Sequence, residues 1–269
     1  MIEIRFIDRI IRIEGVPGNF RDRLEFIFGP LLTGPVPEIG KNKQTVCHIR
    51  MAIMSEGEIQ LTADKTAIFA DPDEAFLALV SSINGMLLTG EGDFLRIHAG
   101  AVKDSASGAA VIAGLSDSGK STLALYLAKK GLELLSDEGI YFLPENGRFI
   151  PYPRAASRLP GGFASRSRMF EEMRIGNLVS YFRPLDWKPS NFLRFYQIKE
   201  VIFLNKGKKS YFTQIEREDA LIELVPHVLG ISPGRKMSSL LEFLAQASLF
   251  YRFTWRNLED LFRIADQLW

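Results

Sequence analysis

The chain has 269 residues, 46% apolar and 24% charged, with 33 Lys and Arg against 32 Asp and Glu. That size buries one large core or two modest ones, and the composition is ordinary for a globular protein. The formal net charge of +1 speaks against broad electrostatic capture of nucleic acid or of an anionic membrane, and a single cysteine, Cys47, excludes an internal disulfide.

Taken in chain order, the first residues alternate. Ile2, Ile4 and Phe6 are spaced by Glu3 and Arg5, without the basic flank and apolar run of a secretory signal. No apolar stretch reaches the roughly 18 residues of a membrane span. A reducing location, the cytoplasm, is therefore expected. A partner strand is predicted at Ile10 to Ile13, and further strands at 46–53, 59–61 and 67–69. Cys47 reads as a small hydrophobe of the 46–53 strand. Asp71, Pro72 and Glu74 form a helix start, with an N-cap acid, Pro at the first helical position and Glu at N3; the apolar residues from Phe76 to Leu88 follow at helical spacing. Gly90 and Gly92 then punctuate the chain. Residues 1–92 thus read as a small β-rich α+β accessory region and residues 93–269 as a second domain.

In that second part, the run Ala109 to Ala113 is a predicted buried strand. Residues Gly114, Leu115, Ser116, Asp117, Ser118, Gly119, Lys120, Ser121 and Thr122 follow it and match the pattern G-x-x-x-x-G-K-[S/T]. A random chain of this composition shows the pattern roughly once in 100 tries, so the flanking elements matter. A helix follows, carrying Leu123, Tyr126 and Leu127, with Gly131 as its C-terminal glycine. Strand, tight loop and helix N-terminus present backbone N–H groups to polyphosphate. Lys120 would reach the β- and γ-phosphates and the Ser121 hydroxyl would bind Mg²⁺. A plain Gly/Ser turn is the alternative.

Sixteen residues after Ser121 an apolar strand ends in Asp137 and Glu138, and is expected to lie beside the strand that feeds the loop. One carboxylate suits Mg²⁺ and the other suits proton removal from an attacking hydroxyl. His98 precedes the core strand, and Arg154 offers a planar fork for a phosphate or substrate. A hydrogen-bonded structural histidine and a surface arginine are the plainer readings. Residues 151–200, rich in Pro, Arg and aromatics, read as loops over an active site, followed by a short strand at 201–204. The tail reads as helices at 217–229, 238–251 and 258–268, packed on the core rather than on a membrane.

The three segments from His98, from Val111 and from Gly131 together resemble the HPr kinase/phosphorylase family, with the nearest similarity to its branch of peptide-tailoring kinases. The resemblance spans about residues 95–155. It implies an α/β fold, a P-loop domain with a mixed sheet related to phosphoenolpyruvate carboxykinases. It also implies ATP and Mg²⁺ on residues 114–121 with Ser121 and Glu138 at the metal, Asp137 as general base towards a serine hydroxyl, and His98 and Lys120 in the active site. The Glu-x-Arg-Gly segment that follows the acid pair in the family's bifunctional enzymes is not found, which speaks against phosphorylase activity and leaves kinase activity as the expectation. Its partner would be a protein or peptide with an acceptor serine, and the chain a possible homo-oligomer. A nucleotide-dependent regulator and a small-molecule kinase are the other functional readings.

Overall fold

Alternating apolar residues build the first sheet. Ile2, Ile4 and Phe6 put one face of β1 (Ile2–Phe6) into the core, and β1 pairs antiparallel with β2 (Arg9–Glu14). Helix α1 (Gly18–Thr33) carries the chain to β3 (Thr45–Ile53), which lies parallel to β2. Strands β4 (Ile59–Thr62) and β5 (Thr66–Phe69) complete the order β1-β2-β3-β4-β5. Helix α2 (Pro72–Leu88) begins as expected, with the Asp71 carboxylate accepting the Asp73 amide at 2.8 Å. Cys47 is half-buried against this core. The structure, a computed structural model, describes residues 1–33, 44–89, 93–104, 108–158, 169–185, 194–230 and 233–268. Gly90 and Gly92, the expected boundary, and parts of the 151–200 stretch lie outside them.

The chain continues through β6 (Leu95–Ile97), β7 (Ala99–Asp104), β8 (Gly108–Ala113), α3 (Lys120–Lys129) and β9 (Glu133–Ser136). Then come β10 (Ile140–Leu143), β11 (Arg148–Pro151), β12 (Ala156–Arg158), β13 (Phe170–Ile175) and β14 (Val179–Pro184). The remainder is β15 (Ile198–Lys206), β16 (Tyr211–Gln214), α4 (Arg217–Leu224), β17 (Val228–Gly230), α5 (Lys236–Gln246), β18 (Leu249–Trp255) and α6 (Leu258–Leu268). Among the described residues the protein is mixed α/β, with four sheets and six α-helices, none of them long and apolar enough to cross a membrane.

The site stands on a mixed six-stranded sheet of order β16-β18-β15-β8-β7-β9. Its central strands β8 and β15 are largely buried on both faces, and the period-2 pattern shows which side chain goes where. Ala109, Val111 and Ala113 of β8 share a cluster with Leu224 of α4 and Phe243 of α5. Ala110 and Ile112 share one with Leu125 of α3 and Leu261 of α6. Helix α6 is thus a core-packing helix. Gly131 closes α3 at φ +105°, where its amide bonds Ala128 O and that of Leu132 bonds Leu127 O.

Several expectations are corrected. The helix expected over 238–251 ends at Gln246, and residues 249–255 form β18, parallel to β15. Four aromatic residues and Thr254 within seven positions favour a buried strand there over helical continuation. The helix at 217–229 stops at Leu224, because Pro226 cannot continue it, and β17 follows. The 151–200 stretch holds three strands in the order β12-β14-β13, so its described part is a small sheet and not only loops. Helix α1 was not foreseen. The apolar core of the N-terminal sheet also takes in Tyr141, Ile150, Tyr152, Ile175 and Tyr181 from the later sequence. Arg96, fully buried, pairs with Asp8 at 2.7 Å across the same junction.

Candidate active site

Strand β8 runs into a loop of residues 114–119 that opens α3 at Lys120. The loop is compact enough to dictate its residues. A Cβ on Gly114 would stand 2.4 Å from Ser118 Oγ and 2.5 Å from Leu204 O, so only glycine fits. Gly119 takes φ +96° with its Cα face against the Trp255 ring, and Asp117 takes φ +62°, a region Asp tolerates better than most residues. Trp255 Nε1 donates to Ser118 O at 2.7 Å, which ties the loop to the end of β18. Lys120 is buried and donates from Nζ to Gly114 O at 2.7 Å and Leu115 O at 3.0 Å. Burial lowers its pKa, while Glu138, Asp137 and Asp117 counter that shift.

The strand that carries the acids does not touch β8; its neighbour is β7. Since β7 is antiparallel to both, β8 and β9 are parallel and their C-terminal ends still point the same way. Register finishes the placement. Ala99 pairs with Ala113 and Ala101 with Ser136, so His98, Gly114 and Glu138 come to one edge. Ser136 Oγ donates to Tyr152 O at 3.0 Å and accepts the amides of Gly139 and Glu138, at 3.2 and 3.3 Å. That polar knot turns the chain sharply after β9 and presents the two carboxylates.

Asp137 has a fully buried side chain. Its Oδ2 accepts the Ser157 amide at 2.8 Å, and its buried Oδ1 accepts no hydrogen bond among the described residues. Burial pushes its pKa up, opposed by Arg154, the Ser157 amide and the nearby Ser121 hydroxyl. Glu138 is also pushed up by burial, but Arg154, His98 and Lys120 outweigh this and hold its pKa below the usual carboxylate range. Arg154, expected as a substrate clamp, faces these acids instead: it pairs with Glu138, lies 3.6 Å from Asp137 Oδ1 and donates to Ser157 Oγ at 3.0 Å. His98 Nε2 stands 4.0 Å from Glu138 Oε1; burial, Lys120 and Arg154 keep its pKa low against the pull of Glu138.

These groups open on one cleft of about 820 Å³. His98, Ser116, Asp117, Gly119, Lys120, Ser121, Asp137 and Glu138 line it; Gly114, Ser118, Thr122 and Arg154 do not. Sequence reasoning missed the opposite wall, made by Lys206, Trp255, Arg256, Asn257 and Leu258, because 249–255 had not been read as a strand. The signal was there. Asn257 precedes an amphipathic helix and caps it, its Oδ1 accepting the Asp260 amide at 2.9 Å. His227 was missed as well. Its carbonyl accepts the His98 amide at 2.8 Å, and burial, with Lys120 and His98 nearby, lowers its own pKa to about 4.

No family model and no curated protein matches the chain. Among solved structures it is similar to the HPr(Ser) kinase/phosphatase from Coxiella burnetii, with a TM-score of 0.33 and 15% identity over 64% of this chain and 93% of that one. A likeness that distant carries no argument about fold or chemistry.

Proposed function

We propose that this chain is a kinase that binds ATP with Mg²⁺ on residues 114–122 and passes the γ-phosphoryl group to a serine hydroxyl of a protein or precursor peptide. The observation that carries the reading is convergence. A glycine-shaped loop with Lys120 and Ser121, and a carboxylate pair on a parallel strand end, Asp137 buried and Glu138 half-buried, open on a single cleft. In the transfer, the acceptor oxygen bonds to the γ-phosphorus as the bond to the β–γ bridging oxygen breaks, and the hydroxyl proton passes to Asp137. A carboxylate with a raised pKa is the better base, which favours Asp137 over Glu138. Lys120 would leave its loop carbonyls for phosphate oxygens.

Mg²⁺ fits the donors. In this assignment the Ser121 hydroxyl and the half-buried Glu138, hard oxygens beside the unsatisfied Asp137 Oδ1, would hold it, and Mg²⁺ takes one or two carboxylates with phosphate oxygens completing its shell. When bound it would neutralise charge on the phosphates. A second assignment exchanges the acids: Asp137 is fully buried beside Ser121 and would hold the metal, and Glu138, the more exposed, would take the proton.

Incubation with γ-labelled ATP and serine-containing peptides tests both. Wild type should move label to a hydroxyl, and Asp137→Asn should lose roughly 10²–10⁴-fold in rate while still binding ATP. A Glu138→Gln variant that loses as much while Asp137→Asn chiefly raises the Mg²⁺ requirement would favour the exchange. ATP that binds but never donates its label would remove the kinase reading and leave a nucleotide-dependent regulator.

A further inference from the structure

We propose that the cleft is divided by the phosphate loop, with the nucleoside seated against the ends of β15 and β18 and the acceptor approaching along β12 and β14. This rests on the kinase reading and adds the orientation of the nucleotide and the side chains that meet it. In the order β9-β7-β8-β15-β18, neighbouring strands lie about 4.8 Å apart. The acids after β9 and the tip of β18 therefore stand roughly 10 Å to either side of the loop that follows β8. The phosphoryl that is transferred must lie on the acid side, within reach of Asp137. The remainder of the nucleotide then runs across the loop towards the other wall.

That wall has the chemistry a nucleoside needs. Lys206 and Arg256 bring positive charge to the cleft, Lys206 with its ammonium 5.4 Å from the Trp255 ring centroid and Arg256 with Nε 3.8 Å from Asp260. Arg256 is exposed, and its flat guanidinium stacks on planar rings. Leu258, at the first position of α6, is 43% exposed on the wall of a cleft lined mostly by polar side chains, and so offers apolar surface to a base. The acid side differs. Its two carboxylates would repel the rest of the phosphate chain, so only the phosphoryl beside Lys120 lies there, and Ser157, Arg158 and Val179 line that end of the cleft, where a hydroxyl-bearing chain would enter.

Calorimetric titration of the full chain with Mg-ATP and, separately, with inorganic tripolyphosphate tests the division. Arg256→Lys combined with Leu258→Ala, which keeps the positive charge and removes the flat guanidinium and the apolar surface, should weaken ATP about tenfold and leave tripolyphosphate unchanged. Arg158→Lys combined with Val179→Ala, with the charge again kept, should leave both affinities at wild-type values. The proposal is overturned if the first variant binds ATP as wild type does, if it loses both probes equally, or if the second variant carries the ATP-specific loss. A wild-type chain that binds neither probe overturns the nucleotide reading itself, which the tripolyphosphate arm reports independently.

Discussion

The two walls of the cleft are built on different physics. On one side Asp137, Glu138, Arg154 and His98 crowd together, and each has a pKa displaced by burial and by the others. On the other side the wall is held by shape: the parallel register of β15 and β18 sets Lys206 beside Trp255, whose ring lies on Gly119 and whose indole N–H holds the loop. The first wall should therefore respond to the loss of one charge and to pH. The second should respond to the loss of volume and of one hydrogen bond, and should be nearly indifferent to pH.

The largest effect should come from Arg154→Met, which leaves two carboxylates in a buried site without their cation. Breaking a buried ion pair on one side costs about 3–5 kcal/mol. Urea unfolding at pH 7.5 should show a loss of that order, and the loss should shrink at pH 5 as the carboxylates gain protons. A cost below about 1 kcal/mol at both pH values would mean that charge does not hold this wall.

A smaller effect concerns the acid limb of stability. His227 has a folded pKa of about 4, against about 6.5 in an unfolded chain. Between those values the unfolded state binds more protons, so the stability contributed by the neutral imidazole is complete above pH 6.5 and lost as pH falls towards 4. His98, also lowered, acts in the same direction, and Asp137, raised by burial, acts against it. His227→Gln should flatten the fall in urea midpoint between pH 6.5 and 4, whereas a substitution on the opposite wall should keep the wild-type slope. Equal slopes in wild type and His227→Gln would show that this histidine does not titrate as its burial implies.

The same contrast explains what the sequence made legible. The loop, the acid pair and His98 are local signals, because glycine spacing, a helix start and a strand ending in carboxylates are written in consecutive residues. The strands of the N-terminal sheet were visible because one face is wet and their apolar residues alternate. The wall of β15 and β18 is a tertiary object. Strand β18 comes some fifty residues after β15 began, and its burial on both faces removes the polar alternation that marks a strand. Arg154 was legible as chemistry but not as geometry: nothing near it in sequence says that its fork turns inward onto Glu138. The exchange of β7 for β8 as the neighbour of β9 was hidden for a similar reason, since a hairpin strand that inserts between two parallel ones leaves no mark on either.

The smallest effect belongs to the shape-held wall. Trp255→Phe keeps an aromatic ring but removes the donor to Ser118 O, and a typical hydrogen bond contributes about 1 kcal/mol net. The smaller ring also withdraws from Gly119, so a total near 1–2 kcal/mol is expected in urea, with an unchanged dependence on pH. Emission offers a second reading. The chain has three tryptophans, and among the described residues it is Trp255 whose indole bonds the 114–119 loop. If the loop rearranges when Lys120 leaves its carbonyls for a phosphate, the tryptophan emission of wild type should change on adding Mg-ATP, and most of that change should vanish in Trp255→Phe. A variant that keeps the full emission change and the wild-type urea midpoint would show that the indole merely rests on the loop, and the contrast between a charged wall and a shaped one would then lose its second half.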